Sequence, residues 1–228
     1  MMRLDRFLSE AGAAGRKEIR AMVRSGRVKV NGAAAAKPDM KVDENADHVT
    51  LDGVEICLRG RVVLMLYKPA GYVTSTEDPR DRTVMELLPE EYRDLFPVGR
   101  LDKDTEGLLL FTDDGDLGHR LTSPKHHVEK EYFARTDGEI DEEDIAAFRS
   151  GITLRDGTVC QPAELYRDED GCRVILHEGK YHQVRRMLAS RGKPVTYLKR
   201  IREGKLQLDL TEKGSWRLLT EKDIEKLL

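Results

Sequence analysis

A short charged loop is the strongest candidate for covalent chemistry. Residues 99–107 read GRLDKDTEG and directly precede the apolar run LLLF. Asp102 follows the apolar Leu101 and has Arg100 and Lys103 close by, and nearby cations favour the carboxylate form that a nucleophile needs. A charged loop at the edge of a buried strand is where a rigid scaffold presents reactive groups. The residues alone also allow a solvated turn held by ion pairs.

A second segment places several basic side chains at the start of a helix. Residues 178–187 read EGKYHQVRRM, and Gly179 lets the backbone turn sharply or pass close to a ligand. The helix that follows carries basic groups around an apolar stripe, namely Lys180, His182, Arg185 and Arg186 around Val184, Met187 and Leu188. This pattern fits a phosphate-contacting helix, or a helix whose arginine reaches inward to a buried carboxylate. An ordinary basic amphipathic helix is the alternative.

A tyrosine on a predicted strand is the third candidate. Tyr132 lies in the sequence KEYF, within residues 128–135, which read as a strand. An aromatic side chain on a strand usually belongs to the core. In a site that handles nucleobases, Tyr132 would instead stack on a base and keep its hydroxyl free for polar work.

Metal and nucleotide chemistry find little support in the sequence. The four histidines that invite a metal interpretation lack the i, i+4 spacing of a helical metal motif: His119, His126, His127 and His182. Residues 113–116 are acidic around a glycine, but the last glutamate of a calcium loop does not follow. No P-loop or G-x-G-x-x-G motif occurs, so we expect neither a metal nor a cofactor. Three cysteines without C-x-x-C spacing favour a reducing compartment.

The distribution of charge indicates a polyanionic partner. The chain has 228 residues and a net charge of −3, which alone argues against general nucleic-acid binding. However, residues 1–41 carry a net charge of +6, and residues 179–205 hold nine basic residues against Glu203 alone. Two basic segments in an otherwise acidic chain suggest two contact areas for a polyanion. The alternative is that basic helices merely solvate their own faces.

Hydrophobic periodicity divides the chain into two parts. Residues 3–11 and 16–24 predict two short helices, and a small sheet follows them, so we expect one domain over residues 1–59. The second helix carries Arg16, Lys17, Arg20 and Arg24 on or beside it. Residues 60–228 form the other predicted domain, in which strands outnumber helices. That ratio favours an α+β fold with a mostly antiparallel or mixed sheet. The longest apolar stretch, residues 62–67, is too short to span a membrane, so we expect a cytoplasmic protein.

Several blocks of the sequence resemble one family. The segments GRLDKDTEGLLLFTDDG, SPKHHVEKEYFA and EGKYHQVRRMLASRGKPV resemble the signatures of rRNA pseudouridine synthases of the small-subunit (RsuA) type. The segment LMLYKPAGYVTSTED resembles the first core strand and turn of the same family. The N-terminal segment RLDRFLSEAGAAGRKEIRAMVRSGRVKVNG resembles the S4 RNA-binding domain that precedes their catalytic domain. The resemblance covers essentially the whole chain.

The resemblance implies a fold and a set of functional residues. The fold is a mixed, bent β-sheet with flanking helices and a central RNA cleft, behind a small S4 α/β domain. Asp102 matches the catalytic aspartate, Tyr132 the tyrosine that packs on the target base, and Arg185 the basic residue that pairs with the aspartate. Arg100 matches an arginine that supports the flipped nucleotide, and Val184 lines the pocket. We also expect RNA contacts from Lys130, Lys180, Gln183 and Arg186, and from Arg16, Lys17, Arg20 and Arg24 of the S4 domain.

The implied reaction converts a specific uridine of 16S rRNA to pseudouridine without a cofactor. The uridine must leave its stack before its ring and C1′ are accessible. Asp102 then attacks C6 of the ring or C1′ of the ribose, or acts as a base on a route through a glycal. The partner is free small-subunit rRNA or an assembling ribosomal particle, and we expect a monomer without membrane association. The alternatives are a large-subunit (23S) rRNA pseudouridine synthase, a non-catalytic S4-containing RNA-binding protein and, more distantly, a metal-dependent nuclease.

Overall fold

The structure is a computed structural model of the chain. It describes residues 1–44, 46–56, 61–123, 126 and 128–228, and at Arg16 it describes the backbone alone. The described chain divides into two compact units, Met1–Gly60 and Arg61–Leu228. The sequence-based boundary between residues 59 and 60 lies within residues 57–60, outside the described residues.

The first unit consists of two helices packed with short strands. Its elements are β1 (Met2–Arg3), α1 (Leu4–Glu10), α2 (Arg16–Arg24), β2 (Val28–Val30), β3 (Ala33–Ala34), β4 (Lys41–Val42), β5 (Val49–Leu51) and β6 (Val54–Ile56). Strands β3-β2-β5-β6 form an antiparallel sheet, and β1 pairs with β4. Leu4, Phe7 and Leu8 of α1 share one core with Ile19 and Val23 of α2. The i, i+3, i+4 spacing of these apolar residues therefore leaves Lys17, Arg20 and Arg24 on the solvent face of α2.

The second unit is built on one large sheet. Its strands are β7 (Val63–Lys68), β8 (Phe96–Val98), β9 (Glu106–Thr112), β10 (Lys130–Thr136), β11 (Glu164–Asp168), β12 (Gly171–Leu176), β13 (Val195–Glu203), β14 (Leu206–Gln207) and β15 (Trp216–Leu218). The main path runs β11-β12-β10-β13-β9-β7-β15. Strand β9 pairs parallel to β13, whereas the other strand pairs in this sheet are antiparallel. The predicted α+β fold with a mixed sheet is confirmed.

Helices cover the sheet, and capping residues set where they begin. They are α3 (Gly115–Thr122), α4 (Glu142–Ser150), α5 (Gln183–Ser190) and α6 (Glu221–Glu225), with 3-10 turns at Val84–Leu87 and Glu90–Tyr92. The Asp114 carboxylate accepts hydrogen bonds from the main-chain N–H groups of Asp116 and Leu117, and Asp141 accepts one from Asp144. Carboxylates at these positions satisfy N–H groups that have no partner within the helix.

The apolar run of β7 is buried on both faces of the sheet. Val63 and Met65 pack into one hydrophobic cluster, whereas Leu64 and Leu66 pack into another. This two-sided burial explains why the strand is continuously apolar rather than alternating. Cys160 and Cys172 are buried free thiols, and Cys57 lies outside the described residues. In the part of the chain that the structure describes, no helix is long and apolar enough to cross a membrane.

Candidate active site

The three segments selected from the sequence meet in one cleft of the second unit. The cleft has a volume of about 430 Å³ and is lined by residues 99–103 and 105, by Lys130 and Tyr132, and by residues 178–184. Residues 73–74, Leu198 and Arg200 complete its wall together with Thr122 and Leu176. The structure therefore brings together residues that are up to 127 positions apart in the chain, from Val73 to Arg200.

The loop that carries Asp102 is fixed by hydrogen bonds to its main chain. It leaves β8 through Gly99, whose φ of +72° suits glycine, and it buries Leu101 in the core. The Thr74 hydroxyl donates to the carbonyl oxygen of Leu101 at 2.7 Å and accepts from its N–H at 3.1 Å. A hydroxyl that both donates to and accepts from one residue holds the backbone at that point. The Asp102 side chain is thus presented from a fixed loop.

A buried lysine supports the same loop from beneath. Lys68 ends β7 and is fully buried. Its Nζ donates to the carbonyl oxygens of Asp102 at 3.1 Å and Thr105 at 2.8 Å, and also to those of Pro69 and Lys103. Burial lowers the pKa of Lys68 to about 8, although nearby carboxylates oppose the shift. An ammonium group that bonds four carbonyl oxygens ties the loop to the central sheet.

The carboxylate of Asp102 faces a histidine. The distance from Asp102 Oδ1 to His182 Nε2 is 3.5 Å, and both side chains are partly exposed in the cleft. His182 directly precedes α5 and adopts a left-handed backbone conformation, with φ 47° and ψ 37°. This conformation costs a non-glycine residue about 1–2 kcal/mol, so the surrounding contacts must hold it.

Buried hydrogen bonds hold the turn before α5. The Gln183 side chain is buried, and its Oε1 accepts a hydrogen bond from the Lys180 main-chain N–H at 2.9 Å. Its Nε2 donates to Glu178 Oε1 at 2.8 Å, and Glu178 also pairs with the Lys180 ammonium. Burial alone would raise the pKa of Glu178, but hydrogen bonds, chiefly from Lys180, lower it below its usual value. Gln183 and Lys180 therefore brace the cleft wall in this structure, whereas their expected role was to contact RNA.

Arg185 does not pair with Asp102, and the sequence-based expectation on this point is wrong. Its Nη2 lies 2.9 Å from Oδ2 of Asp104 and 3.5 Å from Oγ1 of Thr105. Arg185 lies in the first turn of α5, and its side chain reaches the end of the loop where β9 begins. His182 instead occupies the position next to Asp102. Asp104 is accordingly an ion-pair partner of a half-buried arginine, although its own side chain is 68% exposed.

Tyr132 lies in the cleft wall above a buried arginine. It is partly buried and packs against two hydrophobic clusters. Burial raises the pKa of the Tyr132 hydroxyl, and the neighbouring Arg200 guanidinium opposes this shift. Arg200 is 1% exposed, and its Nε donates to the Leu108 carbonyl oxygen at 2.7 Å. The ring is therefore available to the cleft while its hydroxyl faces a cation.

The other predicted RNA-binding residues have different surroundings. Lys130 donates to the carbonyl oxygens of Leu121 and Val128, both at 3.2 Å, so its ammonium is occupied within the protein. Arg186 Nη2 pairs with Asp156, and Val184 is buried at the cleft wall.

Two groups of basic residues remain open to solvent. Arg100 is exposed at the cleft, and its side chain makes no ion pair or hydrogen bond with any residue that the structure describes. On α2 of the first unit, Lys17, Arg20 and Arg24 are exposed, whereas the side chain of Arg16 lies outside the described residues. These open cations are available for an external anion.

Three residues that contact Asp102 or its loop were not selected from the sequence for that position. Lys68 had a signal, because it is a charged residue at the end of an apolar strand and precedes a proline. His182 was considered only as a metal ligand or as part of a basic helix. Thr74 had no distinguishing signal, since a threonine in a polar loop is common.

The site has the composition of an acid–base or nucleophilic centre. One carboxylate, one tyrosine and several cations share a cleft, and among the described residues no group of three or more His, Cys, Asp or Glu side chains could hold a metal ion. A carboxylate beside a ring-stacking surface can attack or deprotonate a planar substrate, while surrounding cations bind its anionic part.

Known proteins match the chain over almost its whole length. A family model described as RNA pseudouridylate synthase matches residues 62–190, and an S4 domain model matches residues 2–53. An uncharacterized RNA pseudouridine synthase of Bacillus subtilis, YtzG, is 43% identical over 234 residues, covering 99% of this chain and 98% of that protein. Ribosomal small subunit pseudouridine synthase A of Vibrio cholerae is 42% identical over 230 residues, covering 99% of each.

A large-subunit relative and a solved structure match as well. Ribosomal large subunit pseudouridine synthase B of Vibrio cholerae is 37% identical over 237 residues, covering 99% of this chain and 74% of that protein. A crystal structure of a pseudouridylate synthase superposes with a TM-score of 0.71 and 35% identity, covering all of both chains. The matched regions contain the cleft and the basic helix α2 described above. This chain belongs to the RNA pseudouridylate synthase family and begins with an S4 domain.

Proposed function

We propose that this enzyme converts a uridine of ribosomal RNA to pseudouridine, with Asp102 as the residue that starts the reaction. The observation that carries the proposal is the presentation of Asp102 in the cleft beside Tyr132. Its loop is fixed by Lys68 and Thr74, so the carboxylate meets a substrate without reorganisation. A cleft of about 430 Å³ has room for a nucleotide that has left its stack.

The reaction exchanges one bond to the ribose for another. The bond between C1′ and N1 of uracil breaks, the base turns within the cleft, and a bond between C1′ and C5 forms. N1 gains a proton, and the hydrogen of C5 leaves to solvent. Asp102 activates the nucleotide, and the ring of Tyr132 holds the detached uracil by stacking.

Arg185 acts on the loop rather than directly on the Asp102 carboxylate. Its guanidinium joins α5 to Asp104 and Thr105, at the end of the loop opposite Thr74. The loop is thereby held from three sides, by Lys68, Thr74 and Arg185. We assign Arg185 the role of positioning Asp102, and Arg100 the role of contacting the RNA backbone at the cleft.

The substrate that we propose is small-subunit rRNA. The Vibrio cholerae small-subunit relative matches this chain from end to end, whereas 74% of the large-subunit relative is covered. The S4 domain supplies phosphate contacts, which provide affinity and register without reading the sequence. Mapping pseudouridine in 16S and 23S rRNA from cells that lack this gene tests the assignment. Loss of one modification in 16S rRNA supports it, and loss of one in 23S rRNA contradicts it.

Release of tritium from C5 of uridine measures the chemical step directly. RNA transcribed with tritium at C5 should release it to water when incubated with the protein, without added cofactor. Asp102→Asn keeps the size of the side chain but removes its charge, and it should abolish release while RNA affinity stays within about threefold. Asp94→Asn removes an exposed carboxylate outside the cleft and should stay active. Substantial release by the Asp102→Asn variant would disprove the assigned role of Asp102.

A further inference from the structure

An exposed aromatic ring extends the cleft beyond Asp102 and Tyr132. Tyr181 is 71% exposed, although it is one of the residues that line the cleft. Its ring stacks on the ring of His182, with 3.8 Å between centroids and 19° between the planes. One face of the Tyr181 ring is therefore covered by His182, and the other is open to solvent. Leaving a large aromatic face in water forgoes the free energy of burying it.

The backbone is distorted at the point that makes this stacking possible. Side chains of successive residues point to opposite faces of a strand and diverge around a helix, so neighbouring rings do not stack in either. The left-handed conformation of His182 turns its ring back onto that of Tyr181. Arg186 Nη1 also donates to the Tyr181 carbonyl oxygen at 3.3 Å. Strain of this kind persists only where other contacts hold it, and it concentrates at functional sites.

The stacked pair has a definite position relative to the proposed chemistry. His182 contacts both residues: its ring stacks on that of Tyr181, and its Nε2 lies 3.5 Å from Asp102 Oδ1. The open face of Tyr181 is the one turned away from the imidazole ring that contacts Asp102. A planar group on that face cannot be the base that reacts at Asp102, but it can be a neighbour of that base in the same strand. Arg100 also lines this cleft and is exposed, so it can face a phosphate of such a strand.

We propose that the Tyr181–His182 pair is a stacking platform for a nucleobase that flanks the target uridine. This inference rests on the proposed function, since it takes an RNA strand as the occupant of the cleft. Extracting one uridine from its stack removes the contacts that its neighbours made with it. A fixed aromatic ring gives a flanking base a new stacking partner in place of the uridine. The ring can stack on any base, because every base has a π face.

The experiment probes stacking and catalysis separately. In the shortest rRNA fragment that the protein binds, 2-aminopurine replaces one base at a time, and its fluorescence is measured on binding. The wild type and Tyr181→Phe should quench one position next to the target uridine, whereas Tyr181→Ala should not. In the tritium assay, Tyr181→Ala should raise the KM for RNA about five- to a hundredfold, while kcat changes much less. Tyr166→Ala, which removes an exposed tyrosine outside the cleft, is the matched control and should change neither readout.

An abasic nucleotide at the quenched position completes the test. If Tyr181 acts by stacking on that base, the wild type and Tyr181→Ala should bind the abasic RNA equally. Equal losses on intact and abasic RNA, or quenching that survives in Tyr181→Ala, would overturn the platform. Quenching at a position remote from the target uridine would overturn its assignment to a flanking base. If the quenching pattern holds but the wild type releases no tritium, the proposed function fails. Tyr181 then stacks on an RNA base, but the assignment of that base as a neighbour of a target uridine fails with the function.

Discussion

The guanidinium of Arg185 forms its ion pair with Asp104, at 2.9 Å between Nη2 and Oδ2. This contact joins α5 to the far end of the loop that presents Asp102. The pair is open to solvent on the Asp104 side, where an ion pair contributes at most about 1 kcal/mol. The larger effect of Arg185 is expected from its half-buried position and its contact with Thr105.

We therefore predict unequal losses when the two partners are changed. Arg185→Met should lower kcat about 100-fold, with RNA affinity within about threefold, because it releases the loop rather than a phosphate. Asp104→Asn should lower kcat about two- to fivefold, the equivalent of up to about 1 kcal/mol. When Asp104→Asn is combined with Arg185→Met, kcat should fall no further than in Arg185→Met alone, because the partner of Asp104 is already absent.

The control removes another ion pair made by the loop that carries Asp102. Asp81 pairs with Lys103, also on the solvent side, and Asp81→Asn should leave kcat unchanged. Tritium release and RNA titration measure both parameters. Equal losses of affinity and turnover in Arg185→Met would identify Arg185 as a phosphate contact instead.

The burial of Lys68 predicts a pH-dependent stability. Its pKa is lowered from 10.5 to about 8 in the folded protein, so between these values the unfolded chain binds more protons than the folded one. The contribution of Lys68 to the free energy of unfolding therefore increases as the pH rises from 8 to 10.5, by up to about 3 kcal/mol. Below pH 8 Lys68 is protonated in both the folded and the unfolded protein. The folded state then bears the full cost of burying the lysine charge.

A variant without this amine isolates the effect. Lys68→Met should lower stability at pH 7 by about 2–4 kcal/mol, because four carbonyl oxygens lose their donor. Urea unfolding of both proteins from pH 7 to 10.5 should show the difference in unfolding free energy widening above pH 8. A constant difference across this range would show that Lys68 does not titrate as its burial requires.

The parallel pairing of β9 and β13 requires glycine at position 107. Gly107 has a φ of +111°, and an added Cβ would lie 2.2 Å from the carbonyl oxygen of Arg200. Gly107→Ala should cost about 4 kcal/mol or prevent folding, because the clash is with main chain that cannot move aside. Gly115→Ala meets no atom within 4 Å and begins α3, so it should raise the thermal midpoint slightly. Similar midpoints for the two variants would contradict the pairing.

The exposed arginines of α2 predict a salt-dependent affinity for RNA. Arg20→Glu with Arg24→Glu should weaken rRNA binding, and the slope of log K against log salt should become shallower by about 1.4, or 0.7 per lost contact. Lys29→Glu with Lys37→Glu makes the same change in charge elsewhere in the first unit and should leave the slope nearly unchanged. Equal slopes for the two double variants would remove α2 from the RNA interface.

Local sequence determined much of the secondary structure. The apolar spacing in residues 3–11 and 16–24 predicted α1 and α2, because a helix buries every third or fourth residue regardless of what it packs against. The apolar run in residues 62–67 forms most of β7, since a strand covered on both faces is apolar throughout. The strand β11 was not predicted, because its sequence ELYRD is largely exposed and has little apolar alternation.

The motifs also placed the candidate site, but not its contacts. The segments around Asp102, Tyr132 and Arg185 were selected from residue types and resemblance, and all three occur in the same region of the second unit. Their assigned roles stay predictions until activity is measured.

What only the tertiary structure decided is which side chains meet. Lys68 bonds to Thr105, 37 positions away, and Arg185 contacts the same threonine across 80 positions. Such partners depend on how the strands are ordered in the sheet and on where α5 begins, which no local pattern encodes.

The left-handed turn at His182 is the clearest case. It puts histidine beside Asp102, leaves Arg185 to pair with Asp104, and stacks Tyr181 at the edge of the cleft. The sequence by itself determined which residues carry the chemical groups, and packing at long range determined their partners.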